Sequence, residues 1–330
     1  MYLRRETRPE LFEHDDRTKR SEIGMNGGRQ QLKMSDRTIQ HLLEHIPATH
    51  PYAGRQLISM HTVGGGCIHH AVCLQTDKGH LFLKINTLDS AANFSAEVDG
   101  LNLLAPQIRV PNDAFTGVID QQAFLLMEWL DISSNSSGSR AEEALGEQIA
   151  TLHRQGAHAF GLNQDNFIGA SPQHNVWERN WPDFFANHRL KPQLDWAESR
   201  GLPAATREAG YRLMDKLNLF FTDYRPTPSL IHGDLWGGNH GFLHDGTPVL
   251  FDPAVYYADR EAEIAMTELF GGFSHRARQA YESVWPLDVG YAQRRNLYNL
   301  YHILNHFNLF GGGYGQQAER MIRQLLAEVS

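Results

Sequence analysis

Apolar residues along this 330-residue chain follow two different periods, and the change of period divides it into two unequal parts. Before position 131 the pattern is mostly that of strands. Gln56 to Thr62, Ala71 to Thr76 and His80-Leu81-Phe82-Leu83-Lys84-Ile85 are short runs, and in the third Lys84 shares a face with His80 and Phe82. Ala123 to Leu130 is an apolar strand that runs into Asp131-Ile132 and the Ser/Gly-rich stretch Ser133 to Ser139. Two helices accompany these strands: a short amphipathic one over Thr38 to Ile46, and one from about Phe94 to Ala105 with Glu97 near its start and Val98, Leu101 and Leu104 on one face. From Arg140 onward helical spacing dominates, over Glu142 to His153, Tyr211 to Tyr224, Glu261 to Phe270, Arg294 to Phe310 and Gln316 to Val329. The exception is the loop after Ile231, expected between two short strands joined by the Asp245-Gly246 turn. The pattern predicts a small sheet-rich unit over 34–130 and a large, mostly helical unit over 131–330. Residues 1–33, dense in charges of both signs and without an amphipathic period, predict a disordered extension.

Composition narrows the function classes only a little. With 41% hydrophobic and 21% charged residues the chain can bury a sizeable core. A net charge of -8 argues against a general nucleic-acid binder, which needs clustered cations. No apolar run approaches the roughly 20 residues that span a bilayer. The acidic residues Glu6, Glu10, Glu13, Asp15 and Asp16 are unlike an organelle transit peptide. Two cysteines, Cys67 and Cys73, make no disulfide framework, so a cytoplasmic location is expected. The 18 histidines are scattered, and His69-His70 lacks further partners at zinc-site spacing.

Candidate chemistry is concentrated in His232-Gly233-Asp234-Leu235-Trp236-Gly237-Gly238-Asn239 and Leu250-Phe251-Asp252-Pro253. Transfer of a γ-phosphoryl group needs a carboxylate to orient a hydroxyl and take its proton, plus hard oxygen ligands that hold Mg²⁺ against the phosphates. Asp234 suits the first role. Asn239, five residues later, and Asp252, at the end of the next strand, suit the second. Upstream, Gly64, Gly65 and Gly66 between two strands are placed to cover the phosphates of ATP. Lys84, paired with Glu97 on the following helix, would aim at the α and β phosphates. The strand leaving the small unit would bring backbone groups of Glu128, Trp129 and Leu130 to the adenine. The fold class expected is therefore α+β, a protein-kinase-like two-lobed fold with a small antiparallel-sheet N-lobe and a large helical C-lobe.

The acceptor side is less defined. Trp236 either offers its flat face to the C–H side of a sugar or anchors the loop. Asp165 and Asn166 either bind the substrate or form a turn before Phe167. His306, with Asn305, either faces the substrate or belongs to a core network in an aromatic stripe. Asp259-Arg260-Glu261 is expected to form a structural ion pair that staples the loop carrying Asp252 to its helix.

The run from His232 to Asn239, the continuation Phe251-Asp252-Pro253-Ala254-Val255-Tyr256-Tyr257-Ala258-Asp259-Arg260-Glu261, then Ala265-Met266 and Leu269 to Phe273, resembles the fructosamine kinase (ketosamine 3-kinase) family. Asp165 to Gly169, Pro172-Gln173, Asn175, Trp181, Phe184-Phe185, His188-Arg189-Leu190 and Tyr301 to Gly311 extend the resemblance to roughly Ser35 through the C-terminus. It implies phosphorylation by ATP of a sugar attached to an amine, at its third carbon, after which the amine is lost. It also implies a ketosamine partner, small or protein-bound, and a monomer or a homodimer that Cys67 can link by a disulfide. A small turn residue is the alternative for Cys67. Two other functions stay open: a kinase for another hydroxyl compound such as an aminoglycoside or choline, and a nucleotide-binding scaffold without turnover.

Overall fold

The computed structural model describes residues 35–64, 70–132 and 138–330. The expectations for 1–33 and for Gly65, Gly66 and Cys67 lie outside the described residues.

Five antiparallel strands form one sheet in the order β1-β2-β3-β5-β4: β1 (Leu57–Val63), β2 (His70–Thr76), β3 (Gly79–Thr87), β4 (Phe115–Ile119) and β5 (Gln122–Glu128). The period of two along β3 sorts its side chains onto two faces. Leu81, Leu83 and Ile85 pack with Leu126 against Ile39, Leu42 and Leu43 of α1 (Asp36–Glu44). Helix α1 starts where Ser35 Oγ accepts from Thr38 N, 3.1 Å away. Phe82 and Lys84 point to the other face, where Phe94 and Leu101 of α2 (Ala91–Leu104) join the larger core. Helix α2 lies so close to the chain after Asp252 that a Cβ on Gly100 would sit 3.0 Å from Pro253 Cγ.

The helical part comprises α3 (Ser139–His153), α4 (Trp181–Phe185), α5 (Lys191–Ser199), α6 (Ala204–Met214), α7 (Arg260–Leu269), α8 (His275–Val284), α9 (Tyr291–Phe310) and α10 (Tyr314–Glu328). The long helix α9 is buried on nearly every side and packs on α5, α7 and α10. The expected helix from Tyr211 to Tyr224 is two pieces. Helix α6 starts earlier, after Pro203, and the chain tightens past Met214 into a 3₁₀ turn over Leu217–Phe221, so apolar residues stay inward although the α-helix has ended.

The strands near the candidate loop also differ from expectation. The Asp245-Gly246 turn joins β9 (His240–Phe242) to β10 (Pro248–Leu250), and both follow the loop. The loop itself lies between β9 and β8 (Ser229–Ile231), and β8 pairs with β11 (Tyr256–Ala258). A small hairpin of β6 (Asn166–Ile168) and β7 (Ser171–Gln173) packs beside it.

Candidate active site

A cavity of about 480 Å³ opens between the sheet and the helical part, lined among others by Val63, Gly64, Ala71, Phe82, Lys84, Glu97, Asp234, Trp236, Asn239 and Asp252. Residues as far apart in the sequence as Val63 and Tyr314 thus share one cleft. Lys84 holds it together. Its Nζ lies 2.6 Å from Glu97 Oε1 and 2.5 Å from Asp252 Oδ1. Burial alone would lower the lysine pKa, but the two carboxylates outweigh it and hold the ammonium charged.

Asp252 reaches this position through backbone strain. Its φ is +58°, in the left-handed region, and it precedes a proline. Hydrogen bonds on both sides impose that conformation. Phe251 N donates to Asn239 O at 3.1 Å, and Ala254 N donates to His232 O at 2.8 Å. The imidazole of His232 adds a third tie, Nε2–H to Phe251 O at 2.9 Å, so its Nδ1 is left to accept from Asp234 N at 3.3 Å. Gly233 sits in the crossing of the two segments. Its φ is +85°, and a Cβ there would lie 2.0 Å from Ala254 O, so no other residue fits without moving the loop.

Asn239 spends its side-chain N–H groups on Asp234, donating to the backbone oxygen at 2.8 Å and to Oδ2 at 3.0 Å. That fixes the aspartate rotamer and turns the amide oxygen of Asn239 to the other side. Burial pushes the Asp234 carboxyl up to about 7, with the nearby charge of Asp252 adding to the rise and the Asn239 donor opposing it.

The signal missed in the sequence is Glu263 on α7, whose carboxylate is buried behind the loop. Oε1 accepts from Gly233 N at 2.7 Å, and Oε2 accepts from His232 N at 3.0 Å and His153 Nε2 at 2.9 Å. The proton order behind it is fixed. Arg260 can only donate to Tyr281 O, which leaves the tyrosine hydroxyl to donate to His153 Nδ1, and His153 then presents Nε2–H to Glu263. These donors hold the Glu263 carboxyl below its ordinary range against the opposing effect of burial.

Other expected site residues are distributed differently. Trp236 lines the cavity while its indole lies over Gly238, whose added Cβ would come within 2.4 Å of the ring, so it faces the cleft and anchors the loop at once. His306 and Asn305 also line the cavity. His306 Nδ1 lies 2.9 Å from His302 O, whereas Asn305 Oδ1 is taken by Ser171 Oγ at 2.5 Å and Gln193 Nε2 at 3.3 Å. Asp165 turns its carboxylate to Asn175 N and His174 and lies outside the cavity lining. Asn166 borders the cavity, but its side chain is used within the fold, donating to Val255 O and accepting from Gln173 and Asn175.

Glu128, Trp129 and Leu130 are not in the cavity lining. Glu128 binds Arg109 at 2.5 Å and Asn112 N at 2.9 Å, Trp129 stands beside Phe82, and Leu130 packs on Val249 and Phe251. The residues Asp259-Arg260-Glu261 are engaged structurally, each with a partner outside the three. Asp259 accepts from Tyr224 and Tyr298, Arg260 donates to Tyr281 and two backbone carbonyls, and Glu261 pairs with Arg294.

The sequence model of the fructosamine kinase family matches residues 38–328. The chain belongs to the fructosamine kinase family. A probable ketoamine kinase of Synechocystis sp. is 45% identical over 268 residues, covering 80% of this chain and 89% of that one. The chloroplastic protein-ribulosamine 3-kinase of Arabidopsis thaliana is 38% identical over 276 residues, covering 82% and 83%. Among solved structures, a Haemophilus somnus protein provisionally named a fructosamine-3-kinase superposes with a TM-score of 0.79 at 29% identity, covering 88% and 97%. The fold is kinase-like: a spectinomycin phosphotransferase at 12% identity and a choline kinase of Streptococcus pneumoniae at 14% share the fold alone.

Proposed function

We propose that this protein is a ketosamine kinase that transfers the γ-phosphoryl group of ATP to the hydroxyl on the third carbon of an amine-linked ketose, a step that leads to deglycation. Family membership supports ATP as the donor and a ketosamine, small or protein-bound, as the acceptor. The observation that carries the reading is Lys84 closed onto both Glu97 and Asp252 in the cavity that also holds Asp234 bound by Asn239.

The donor set fits Mg²⁺. Asn239 and Asp252 offer one amide oxygen and one carboxylate, the few hard oxygens that Mg²⁺ takes from protein when phosphates and water complete its shell. Bound there, Mg²⁺·ATP supplies the phosphoryl group and the charge that neutralises its oxygens. Lys84, held by Glu97, would meet the α and β phosphates, Asp252 and Asn239 would hold the metal, and Val63, Ala71 and Phe82 would give the nucleotide an apolar wall. Asp234 accepts the hydrogen bond of the acceptor hydroxyl and takes its proton at the carboxylate, poised by a raised pKa for a base working near neutrality. Trp236 and His306 flank the sugar. A homodimer linked through Cys67 belongs to the same reading, and on non-reducing gels after diamide treatment it should disappear in Cys67→Ala.

Asp234→Asn tests the reading. The amide keeps the shape of the site but takes no proton, so ATP affinity should stay within about twofold while kcat falls by about 10²-fold or more. Near-normal kcat would remove Asp234 as the base.

A further inference from the structure

The acceptor's amine still lacks a partner. A ketosamine carries a secondary amine that is protonated near neutral pH, so the acceptor end of the cleft has to receive a cation. The carboxylates among the described lining residues are Glu97, Asp234 and Asp252. Glu97 and Asp252 are closed onto Lys84, and Asp234 is bound by Asn239 and reserved for the hydroxyl. None is left for the amine.

What the cavity presents instead is aromatic, with Trp236, His306, Phe310 and Tyr314 in its lining. The ring of His306 lies 5.6 Å from that of Phe310 at an interplanar angle of 59°, and 5.2 Å from that of Tyr314 at 54°. Rings inclined at such angles form a concave corner rather than a stack. Phe270 closes its back, 4.5 Å from His306 and 6.4 Å from Trp236. His306 is suited to a cationic neighbour, because its Nδ1–H is given to His302 O and burial keeps the ring neutral. Ring faces carry the negative side of an aromatic quadrupole and attract ammonium groups within about 6 Å.

We propose that the corner formed by Trp236, His306, Phe310 and Tyr314 binds the protonated amine of the ketosamine through cation–π contacts, and that the enzyme selects its acceptors by a positive charge beside the sugar. The proposal rests on the ketosamine kinase reading. It accounts for a site open to varied amines, since ring faces impose no donor direction and Phe310, 53% exposed, leaves the corner open to solvent on the side where the carrier would leave.

The test uses three acceptors with one ketose: butylamine at the first carbon, a quaternary butyldimethylammonium there, and a neutral butyl ether. In the full-length protein kcat/KM for both cations should exceed that for the ether by about tenfold or more. Tyr314→Leu and Phe310→Leu should each cut that preference by about threefold or more, the range expected for one aromatic face. Equal turnover of amine and ether would overturn the proposal, and so would a preference that survives both substitutions. A quaternary acceptor falling to the level of the ether would show that hydrogen bonds, not charge, hold the amine. These results leave the kinase reading standing. Failure to phosphorylate any ketosamine would overturn that reading and the proposal with it.

Discussion

Glu263→Gln is the perturbation that most sharply tests how the loop carrying Asp234 is held. The carboxylate accepts three hydrogen bonds, from Gly233 N, His232 N and His153 Nε2, in a fully buried setting. A glutamine amide offers one oxygen. In its better orientation the oxygen keeps His232 and His153, and the new –NH₂ faces Gly233 N–H, donor against donor. The buried unsatisfied donor costs about 1–3 kcal/mol, and the two surviving bonds each lose about 1 kcal/mol with the charge. The sum, about 3–5 kcal/mol, should lower Tm by about 4–7 °C in a chain of this size. Gly233 immediately precedes Asp234, so a shift of about 1 Å there should cost about 10²-fold in kcat. Lys84 and Glu97 bond to each other and to Asp252 and sit on the sheet side of the cleft, so ATP affinity should change by no more than about twofold. Differential scanning fluorimetry, ATP titration by calorimetry and steady-state kinetics read the three quantities. A variant with the parent's Tm and kcat would refute the argument that Glu263 positions the loop, and an equal loss in ATP binding would show general damage rather than a displaced base.

Asp252→Asn should raise the magnesium concentration needed for half-maximal velocity by about tenfold or more, because a formal charge facing the cation is lost, and an unchanged requirement would remove Asp252 as a ligand. His302, buried in α9, has its pKa pressed from 6.5 to about 3 by burial, with His306 and Arg189 adding to the effect. The unfolded chain therefore binds the proton first as pH falls, so the contribution is complete above about pH 6.5 and is lost progressively towards pH 3. At pH 5 the loss is about 2 kcal/mol. The fall in Tm between pH 7 and pH 5 should accordingly be shallower in His302→Phe, whatever the absolute Tm of that variant, and an identical slope would contradict it.

The site was legible wherever its residues follow one another closely or lie on a strand and its next helix. Asp234 and Asn239 stand on one loop and Asp252 just past the β9–β10 hairpin that follows it, so local spacing reports their three-dimensional arrangement, and Lys84 with Glu97 follows from one strand's alternation and one helix's face. Glu263 was hidden because a glutamate in a helix ordinarily faces solvent. Only its setting among Ala262, Ile264, Ala265 and Met266 hinted at burial. Asp165 and Asn166 could not be assigned because their partner Asn175 lies across the β6–β7 hairpin, and nothing local reveals that pairing. Asp259, Arg260 and Glu261 were expected to act structurally, but their partners were hidden, because consecutive residues at a helix start point in different directions and each meets a neighbour distant in the sequence. The split of the Tyr211 to Tyr224 segment escaped for the reverse reason, since the apolar spacing runs on while the backbone changes from α to 3₁₀.

The measurement that tests the central claim most directly is ATP consumption by the purified protein across a panel of ketoses linked to amines, with the phosphorylated carbon read by NMR. The account predicts turnover of fructose- or ribulose-bearing amines, dependent on Asp234, with phosphate on the third carbon. Phosphate on another carbon, or turnover confined to an aminoglycoside or choline, would contradict it.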